Sequence, residues 1–432
     1  MNILVIGSGA REHAILWKLA QSVKKPKLYC APGNAGTSQV ATNVSIKAND
    51  LNGLLKFAKE KEVALTIAGP EQPLVDGIAD LFRTNGLAFF GPSQEAAALE
   101  GSKIFAKEFM ERNDIPTAPF RSFDATQFKQ AKEHLLAQPD APIVLKADGL
   151  AAGKGVVVAS GRDEAVAALE DMMQKKIHGR AGERIVIEEC LAGEEVSILA
   201  LTDGRDFVTL VPSQDHKRIF DGDKGKNTGG MGAYAPMPRI SEDMLEEIET
   251  KIIAPVIEGM SQEGRTYTGC LYAGLMLTGY GPKVIEFNCR FGDPETEVVL
   301  PLLDDDLLEI MLETSHGTLS HANAKMKEAT AACVVLASGG YPDAYETGKK
   351  ISGLEEVRAD SDTIVFHAGT KTENGSVVTA GGRVLAVTST APGNNLEAAI
   401  AAAYRSVDKI SFQGMQYRKD IGKKGILNKV NH

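Results

Sequence analysis

The sequence predicts a multidomain protein of mixed α/β and α+β class that opens on a doubly wound parallel sheet. Two observations carry this. From Met1 to about Gly101, short apolar runs alternate with helical stretches: NILVIG, HAILWKLAQ, KLYCAPG, LNGLLKFAKE, VALTIAGP, GIADLFRTNG and LAFFGP. Strands alternating with helices build parallel sheets whose ligands sit at the carboxyl ends of the strands. The chain has 432 residues, too many for one core of usual size, so about two to four domains are expected.

Composition narrows the function classes. No apolar run is long enough to span a bilayer, and the amino terminus enters a strand without the basic segment of a signal peptide. The net charge of −10 excludes a general nucleic-acid or anionic-membrane surface, so any phosphate site must be a local positive pocket. The five cysteines are scattered without a C-x-x-C pair, which fits a reducing cytoplasm rather than a disulfide framework or zinc site.

Within the first hundred residues, the strand ends carry GSGAREH, APGNAGT and GPEQPLVDG. A dinucleotide fingerprint fails at Glu12, which occupies its third glycine position. A helix N-terminus after Gly7 and Gly9 would still hold a phosphate or a sugar. Glu71 is placed either to accept sugar hydroxyls or to cap the helix that follows. Pro92-Ser93 opens a further helix, and SKIFAKEFMER forms an amphipathic one that ends before Pro116. Lys103 falls at its start, where the helix dipole disfavours a cation, so it is either solvated or held for a nucleotide phosphate.

From about Phe120 to Cys190 the order is helix, strand (IVLKA), glycine loop, strand (GVVVAS), helix, strand (RIVIEEC), enough for a small α+β lid. In Val144 to Val158, VLKADGLAAGKGVVV, a loop nearly free of side chains lets backbone N–H groups approach a polyanion, with Lys146 and Lys154 supplying charge. The alternative is a glycine-rich surface hairpin. Asp148 and Gly155 break the Walker A pattern. Glu188, Glu189, Glu194 and Glu195 bracket a turn containing Leu191, either a solvated edge or acceptors for an adenine amino group and ribose hydroxyls.

Residues 212–236 contain little apolar material and read as a mobile, structureless loop covering substrate, with Asp215, Lys217, Arg218 and Thr228-Gly229-Gly230-Met231-Gly232 as its features. A long helix then precedes a hairpin, CLYAGLMLTGYGPKVIEFNCRF. In its second strand, alternation points Ile285 and Phe287 one way and Glu286, Asn288 and Arg290 the other. RFGDPETE follows and brings Asp293, Glu295 and Glu297 near the same strand end, a hard oxygen set suited to Mg²⁺. After about Glu328, short strands and a final helix show no catalytic constellation.

These motifs together resemble the ATP-grasp family, and within it the glycinamide ribonucleotide synthetases. The matching stretches are GSGAREH, GPEQPLVDG, GSKIFAK, VLKADGLAAGKGVVV, EECLAGEEVS, SQDHKRIFDGDKGKNTGGMGAY and EFNCRFGDPETE, and RFGDPETE is the most specific. The resemblance implies an ATP-grasp fold in four parts. These are an N-terminal substrate-binding domain (1–101), a central domain (102–119 and 191–328), a lid (120–190) and a small C-terminal domain (329–432).

It also implies a reaction: ATP phosphorylates the carboxylate of glycine, and the amine of 5-phosphoribosylamine attacks the glycyl phosphate. Such chemistry needs charge neutralisation, in-line positioning and exclusion of water rather than an enzyme nucleophile. By resemblance, Glu286 and Asn288 hold Mg²⁺ (or Mn²⁺), with Glu297 or Asp215 as helpers. Lys103 and Lys146 contact the nucleotide phosphates, Gly149, Gly153 and Gly155 belong to the closing loop, and Glu188, Glu189, Leu191 and Glu195 hold adenine and ribose. Arg290, Lys146 and Asp215 are the expected catalytic residues, and Gly9, Glu71, Asp215, Lys217, Arg290 and Asp293 the substrate contacts. Glycine, 5-phosphoribosylamine and ATP are the implied partners, with no nucleic acid or membrane, a monomer, and at most transient contact with the preceding pathway enzyme. Another ATP-grasp ligase is disfavoured by RFGDPETE, and a non-catalytic ATP-binding protein by the Glu286/Asn288 pair.

Overall fold

The computed structural model describes residues 1–150, 155–177, 179–320, 324–360 and 362–427. Gly153 and Lys154 of the expected closing loop lie outside the described residues.

The N-terminal region follows the alternation read from its sequence. Its elements are β1 (Asn2–Gly7), α1 (Ala10–Leu19), β2 (Lys27–Pro32), β3 (Thr42–Asn43), α2 (Leu51–Glu60), β4 (Val63–Ala68), α3 (Glu71–Val75), α4 (Ile78–Thr84) and β5 (Phe89–Phe90). The strands form one parallel sheet in the order β3-β2-β1-β4-β5. The continuous apolar run of β1 is needed because both faces of a doubly wound sheet are covered, and Ile3 to Ile6 are all fully buried.

Two helices lead out, α5 (Ala98–Gly101) and α6 (Lys103–Arg112). The helix expected from Pro92-Ser93 forms only from Ala98, because residues 94–97 are spent in turns. Ser102 caps α6, its hydroxyl accepting from the Phe105 N–H at 3.1 Å.

The lid comprises β6 (Phe120–Asp124), α7 (Phe128–Ala137), β7 (Ile143–Ala147), β8 (Val156–Ala159), α8 (Arg162–Leu169) and β9 (Arg184–Glu189). Its strands form an antiparallel sheet, β6-β9-β7-β8, with a hydrophobic core of its own around Leu135, Leu145, Leu169, Met172 and Ile187. Residues 148 and 149 bind back to the body: the Asp148 carboxylate accepts from the Ser102 hydroxyl (2.9 Å) and the Ile104 N–H (3.1 Å), and Lys103 donates to the Gly149 carbonyl (2.9 Å).

The central sheet, in the order β11-β10-β16-β17, joins β10 (Glu194–Thr202), β11 (Phe207–Thr209) and two later strands. Residues 212–236 are not the structureless loop their composition predicted. They contain β12 (Gln214–Asp215), the hairpin β13 (Arg218–Phe220) and β14 (Lys224–Asn227), and β15 (Gly232–Ala235). The whole of β15 is buried and pairs with a strand nearly a hundred residues later. Long-range pairing thus overrides weak local propensity. The helices α9 (Glu242–Ile248) and α10 (Ala254–Gln262) precede the hairpin β16 (Gly269–Thr278) and β17 (Gly281–Asn288). Alternation in β17 breaks: a register shift opposite Gly274 and Leu275 sends both Val284 and Phe287 into the core. Ile285 therefore stays at the sheet's edge with the polar residues instead of following Phe287.

After α11 (Thr296–Leu302) and α12 (Leu307–His316) come β18 (Ala329–Ala337), α13 (Leu354–Val357), β19 (Thr363–His367), β20 (Thr370–Glu373), β21 (Ser376–Thr379), β22 (Arg383–Pro392) and α14 (Leu396–Val407). The last sheet, β12-β15-β18-β22-β19, combines these strands with two from the 212–236 segment.

Two polar junctions tie the C-terminal sheet to the rest. At the first, the His367 backbone N–H donates to His13 Nδ1 (2.9 Å), and Asn34 Nδ2 donates to the carbonyls of His367 (2.6 Å) and Ser8 (2.9 Å). A nitrogen that accepts from an amide cannot carry a proton. Burial, aided by His367, lowers the His13 pKa to about 3, and burial with Arg358 nearby lowers that of His367 to about 4. At the second, the fully buried Arg418 donates to both carboxylate oxygens of Asp420 (2.8 Å each), to Asp223 (2.9 Å) and to the Arg218 carbonyl (3.1 Å). The β13–β14 hairpin is thereby clamped by the segment around Arg418 and Asp420.

Both junctions give predictions. Below pH 6.5 the unfolded histidines take up protons while the folded ones stay neutral, so stability should fall as pH drops from 6.5 toward 4. Each histidine contributes a slope of about 1.4 kcal/mol per pH unit in that window. Denaturant unfolding of His13→Gln across that range should show one such contribution missing; an unchanged slope would mean that His13 is not held neutral. Arg418→Met strips Asp420 of its cation and Asp223 of one of two, Lys424 being the other, and should cost about 2–4 kcal/mol in the same assay; a loss below about 1 kcal/mol would rank the clamp with surface ion pairs.

Candidate active site

The carboxyl ends of the parallel strands, the near end of the lid, β17 and an edge of the C-terminal sheet surround one cavity of about 450 Å³. Arg11 and Glu71 come from the N-terminal sheet, Glu100, Lys103 and Lys107 from α5 and α6, and Lys146, Gly149 and Gly155 from the lid. The opposite wall holds Asp215, Lys217, Tyr272, Glu286, Asn288, Arg290, Asp293 and Glu295, closed by Tyr341 and Arg383.

The wall's cations are paired with carboxylates, with one exception. The buried Glu188 carboxylate lies 2.5 Å from Lys146 Nζ and also holds Lys107. Burial lowers the Lys107 pKa to about 8, and Glu188 opposes that shift. Lys146 donates its other bond to the Ile285 carbonyl at 2.8 Å, which ties the lid strand to β17. Lys217 pairs with Glu195 at 2.7 Å, and Arg11 with Glu12 at 2.7 Å. Arg290 reaches Glu100 (3.1 Å), Asn288 Oδ1 (2.9 Å) and Glu71 (3.6 Å), and its buried Nε has no hydrogen-bond partner among the described residues. Arg383 pairs with Asp293 at 3.0 Å. Among the described residues, Lys103 alone of the wall's cations has no carboxylate in ion-pair range; it donates to the Gly149 carbonyl, and burial lowers its pKa.

Glu286 is the complementary feature. Burial works to raise its pKa, but Lys217, Lys146, Lys103 and Arg290 outweigh burial and keep it ionised. Its carboxylate accepts no hydrogen bond among the described residues; its nearest partner is Lys217 at 4.0 Å. An ionised carboxylate with open lone pairs beside the Asn288 oxygen is a donor set that fits a hard divalent cation completed by phosphate oxygens and water. Behind it, the Ser197 and Tyr272 hydroxyls and one Glu295 carboxylate oxygen stand 2.9 to 3.0 Å from one another and share two hydroxyl protons, which fixes this wall. Burial raises Asp215 to about 8; Lys217 counters this, and Glu295, Glu195 and Glu286 reinforce it. Glu297 is fully buried in α11, its oxygens without a hydrogen-bond partner among the described residues and its pKa raised by burial and by Asp293, and it is not part of the cavity wall.

At the N-terminal end, Glu12 explains the glycines that imitate a dinucleotide fingerprint. Its carboxylate is gripped by the Gly9 N–H and Arg11, between the ends of β1 and β4. A Cβ on Gly7 would fall 2.6 Å from its Cδ, one on Gly9 2.8 Å from Oε2, and one on Gly69 closer still. These glycines make room for a buried side chain, not for a pyrophosphate.

Of the residues singled out from the sequence, Lys103, Lys146, Gly149, Gly155, Glu71, Asp215, Lys217, Glu286, Asn288, Arg290 and Asp293 meet at this cavity. Gly9 lies next to it, its Cβ position 3.6 Å from Asp293 Oδ2. Glu188 and Glu195 act on it through Lys146 and Lys217. Glu189 and Leu191 are outside its wall. Sequence reasoning missed Glu100, Lys107, Tyr272, Tyr341 and Arg383. Lys107 was findable, since it lies one turn after Lys103 on the same helix face. Tyr341 and Arg383 carry no local signal; through them the C-terminal region, which shows no catalytic constellation in its sequence, edges the cavity.

Comparison with known proteins matches three family models in succession: the phosphoribosylglycinamide synthetase N domain (1–100), its ATP-grasp (A) domain (101–296) and its C domain (331–424). A phosphoribosylamine–glycine ligase of Halalkalibacterium halodurans is 51% identical over 430 residues, covering 100% of this chain and 98% of that protein. The crystal structure of a phosphoribosylamine–glycine ligase from Thermotoga maritima superposes with a TM-score of 0.84 at 34% identity, covering 97% of this chain and 100% of that one. The biotin carboxylase domain of Hydrogenobacter thermophilus 2-oxoglutarate carboxylase, solved with MgADP and bicarbonate, shares the fold at a TM-score of 0.74 and 16% identity, covering 96% of this chain and 91% of that one. With all three domain models in register along its length, this chain belongs to the phosphoribosylglycinamide synthetase family of ATP-grasp proteins.

Proposed function

We propose that this protein is an ADP-forming ligase that joins glycine to 5-phosphoribosylamine through a glycyl phosphate, giving glycinamide ribonucleotide in cytoplasmic purine biosynthesis. The observation that carries the reading is the opposition of unpaired Lys103 and open Glu286 across one cavity whose other cations are neutralised. Among the described residues, a lysine with no carboxylate in ion-pair range and an ionised carboxylate that accepts no hydrogen bond suit an anionic nucleotide and its counter-cation. Full-length similarity to phosphoribosylamine–glycine ligases supplies the substrates.

Each residue set then has a task. Lys103 and Lys146 neutralise the nucleotide phosphates, and the lid loop from Gly149 to Gly155 closes over them and excludes water. Glu286 and Asn288 hold Mg²⁺ or Mn²⁺, which supplies charge neutralisation at the transferring phosphoryl group. Adenine and ribose lie along the strand end from Glu188 to Leu191, with Glu195. Arg290, whose buried Nε stands 3.6 Å from the Glu71 carboxylate and makes no hydrogen bond among the described residues, takes the glycine carboxylate and the oxyanion that develops on it. Gly9, Glu71, Asp215, Lys217 and Asp293 surround the amine substrate. The four-part division at 101, 120, 190 and 328 separates these tasks, and the enzyme works as a monomer.

ADP should appear from ATP only when glycine and phosphoribosylamine are both present; release with another amino acid, or none with this pair, would overturn the substrate assignment. Glu286→Ala should lower kcat by about a hundredfold or more while the thermal midpoint stays put. Near-normal turnover would remove Glu286 from the metal site.

A further inference from the structure

The cavity is bounded from two sides. Lys146 and Gly149 bring the lid to it through Ile285 and Lys103, and Arg383 and Tyr341 bring the C-terminal end to it through Asp293 and Gly229. With the nucleotide assigned to the lid side, the C-terminal end is left for its attacking partner. This inference therefore rests on the function proposed above.

At that end, one nitrogen organises three segments. Arg383 Nη1 binds the Asp293 carboxylate (3.0 Å), the Asp293 carbonyl (3.0 Å) and the carbonyls of Gly229 and Gly230. The Tyr341 hydroxyl accepts from the Gly229 N–H at 3.0 Å. Gly229 has no room for a side chain, since a Cβ there would stand 2.8 Å from Arg383 Cζ. The Asp293 carboxylate thus projects between the C-terminal arginine and Gly9 of the N-terminal sheet. It is only 15% exposed, and without Arg383 its orientation would be set by a turn alone.

We propose that Arg383 is a positioning residue for the acceptor: it aims Asp293 and the Gly229–Gly230 backbone at the amine-bearing sugar phosphate, so that the C-terminal sheet sets acceptor affinity. Arg383 does not touch the reacting atoms. An ionised carboxylate held in place accepts hydrogen bonds from a sugar hydroxyl or amine at full strength, and a swinging one loses that advantage.

The test is steady-state ADP formation with each substrate varied in turn. Wild-type turnover that requires both glycine and phosphoribosylamine establishes the parent reading; its absence would sink that reading and leave Arg383 without a role in any acceptor. Given such turnover, Arg383→Met should raise KM for phosphoribosylamine about tenfold or more, with KM for ATP and glycine within about twofold. Arg383→Lys, which keeps the charge, should recover most of the loss. Asp293→Asn should show the same split, and the double variant should be no worse than the weaker single one, because both remove one interaction. Parallel rises in all three KM values, or multiplicative losses in the double variant, would overturn the proposal. If Arg383→Met does not fold, Arg383→Lys and Asp293→Asn decide it, and an unchanged acceptor KM in Asp293→Asn overturns it.

Discussion

The Arg290 guanidinium is the contact on which the site depends. It leaves the end of β17 and meets two carboxylates from the N-terminal third of the chain, Glu100 at 3.1 Å and Glu71 at 3.6 Å, while also holding the Asn288 side chain. The same Glu100 accepts from the Cys289 N–H at 2.7 Å and from its thiol at 2.9 Å. The strand that bears Glu286 and Asn288 is therefore located by a segment almost two hundred residues earlier. An arginine can serve in this way because its planar fork presents several donors in fixed directions. Burial makes the arrangement obligatory, since an unpaired charge there would cost several kcal/mol, roughly, whichever partner were lost.

The remaining charges follow the same rule. Glu188 compensates two lysines, Glu195 one, and Asp293 an arginine. Compensation of this density lets a cavity lined with cations exist in a chain whose net charge is −10. It also reserves the uncompensated groups for ligands. Placement of charge, rather than its amount, makes the pocket selective.

Most of the fold was legible because its signals are local. Apolar runs buried on both faces mark the parallel sheet, and the hairpin pattern marks β16 and β17. The segment 212–236 was misread for the opposite reason: GAYA has no strong preference of its own and becomes a strand only because β18 lies beside it. At the site, Lys103, Lys146, Glu286, Asn288 and Arg290 could be found from motifs. Glu100 and Arg383 could not, since their importance lies in partners at sequence distances of 189 and 90 residues. Glu12 shows the converse case: the glycines that imitate a cofactor loop make room for a carboxylate, and that carboxylate is the residue at which the fingerprint fails.

The lid's separate hydrophobic core has a thermodynamic consequence. Because Leu135, Leu145, Leu169 and Ile187 pack only among lid residues, rotating the lid away from the body exposes no core of either part. What breaks is a set of polar contacts: Asp148 with Ser102 and Ile104, Lys103 with Gly149, Lys146 with Ile285, and the buried ion pair of Lys107 with Glu188. Water replaces each hydrogen bond at a net cost of about 1 kcal/mol, and parting the buried ion pair costs more. Separation of the lid from the body is thus opposed by polar contacts rather than by apolar burial, and it requires no part of either to unfold.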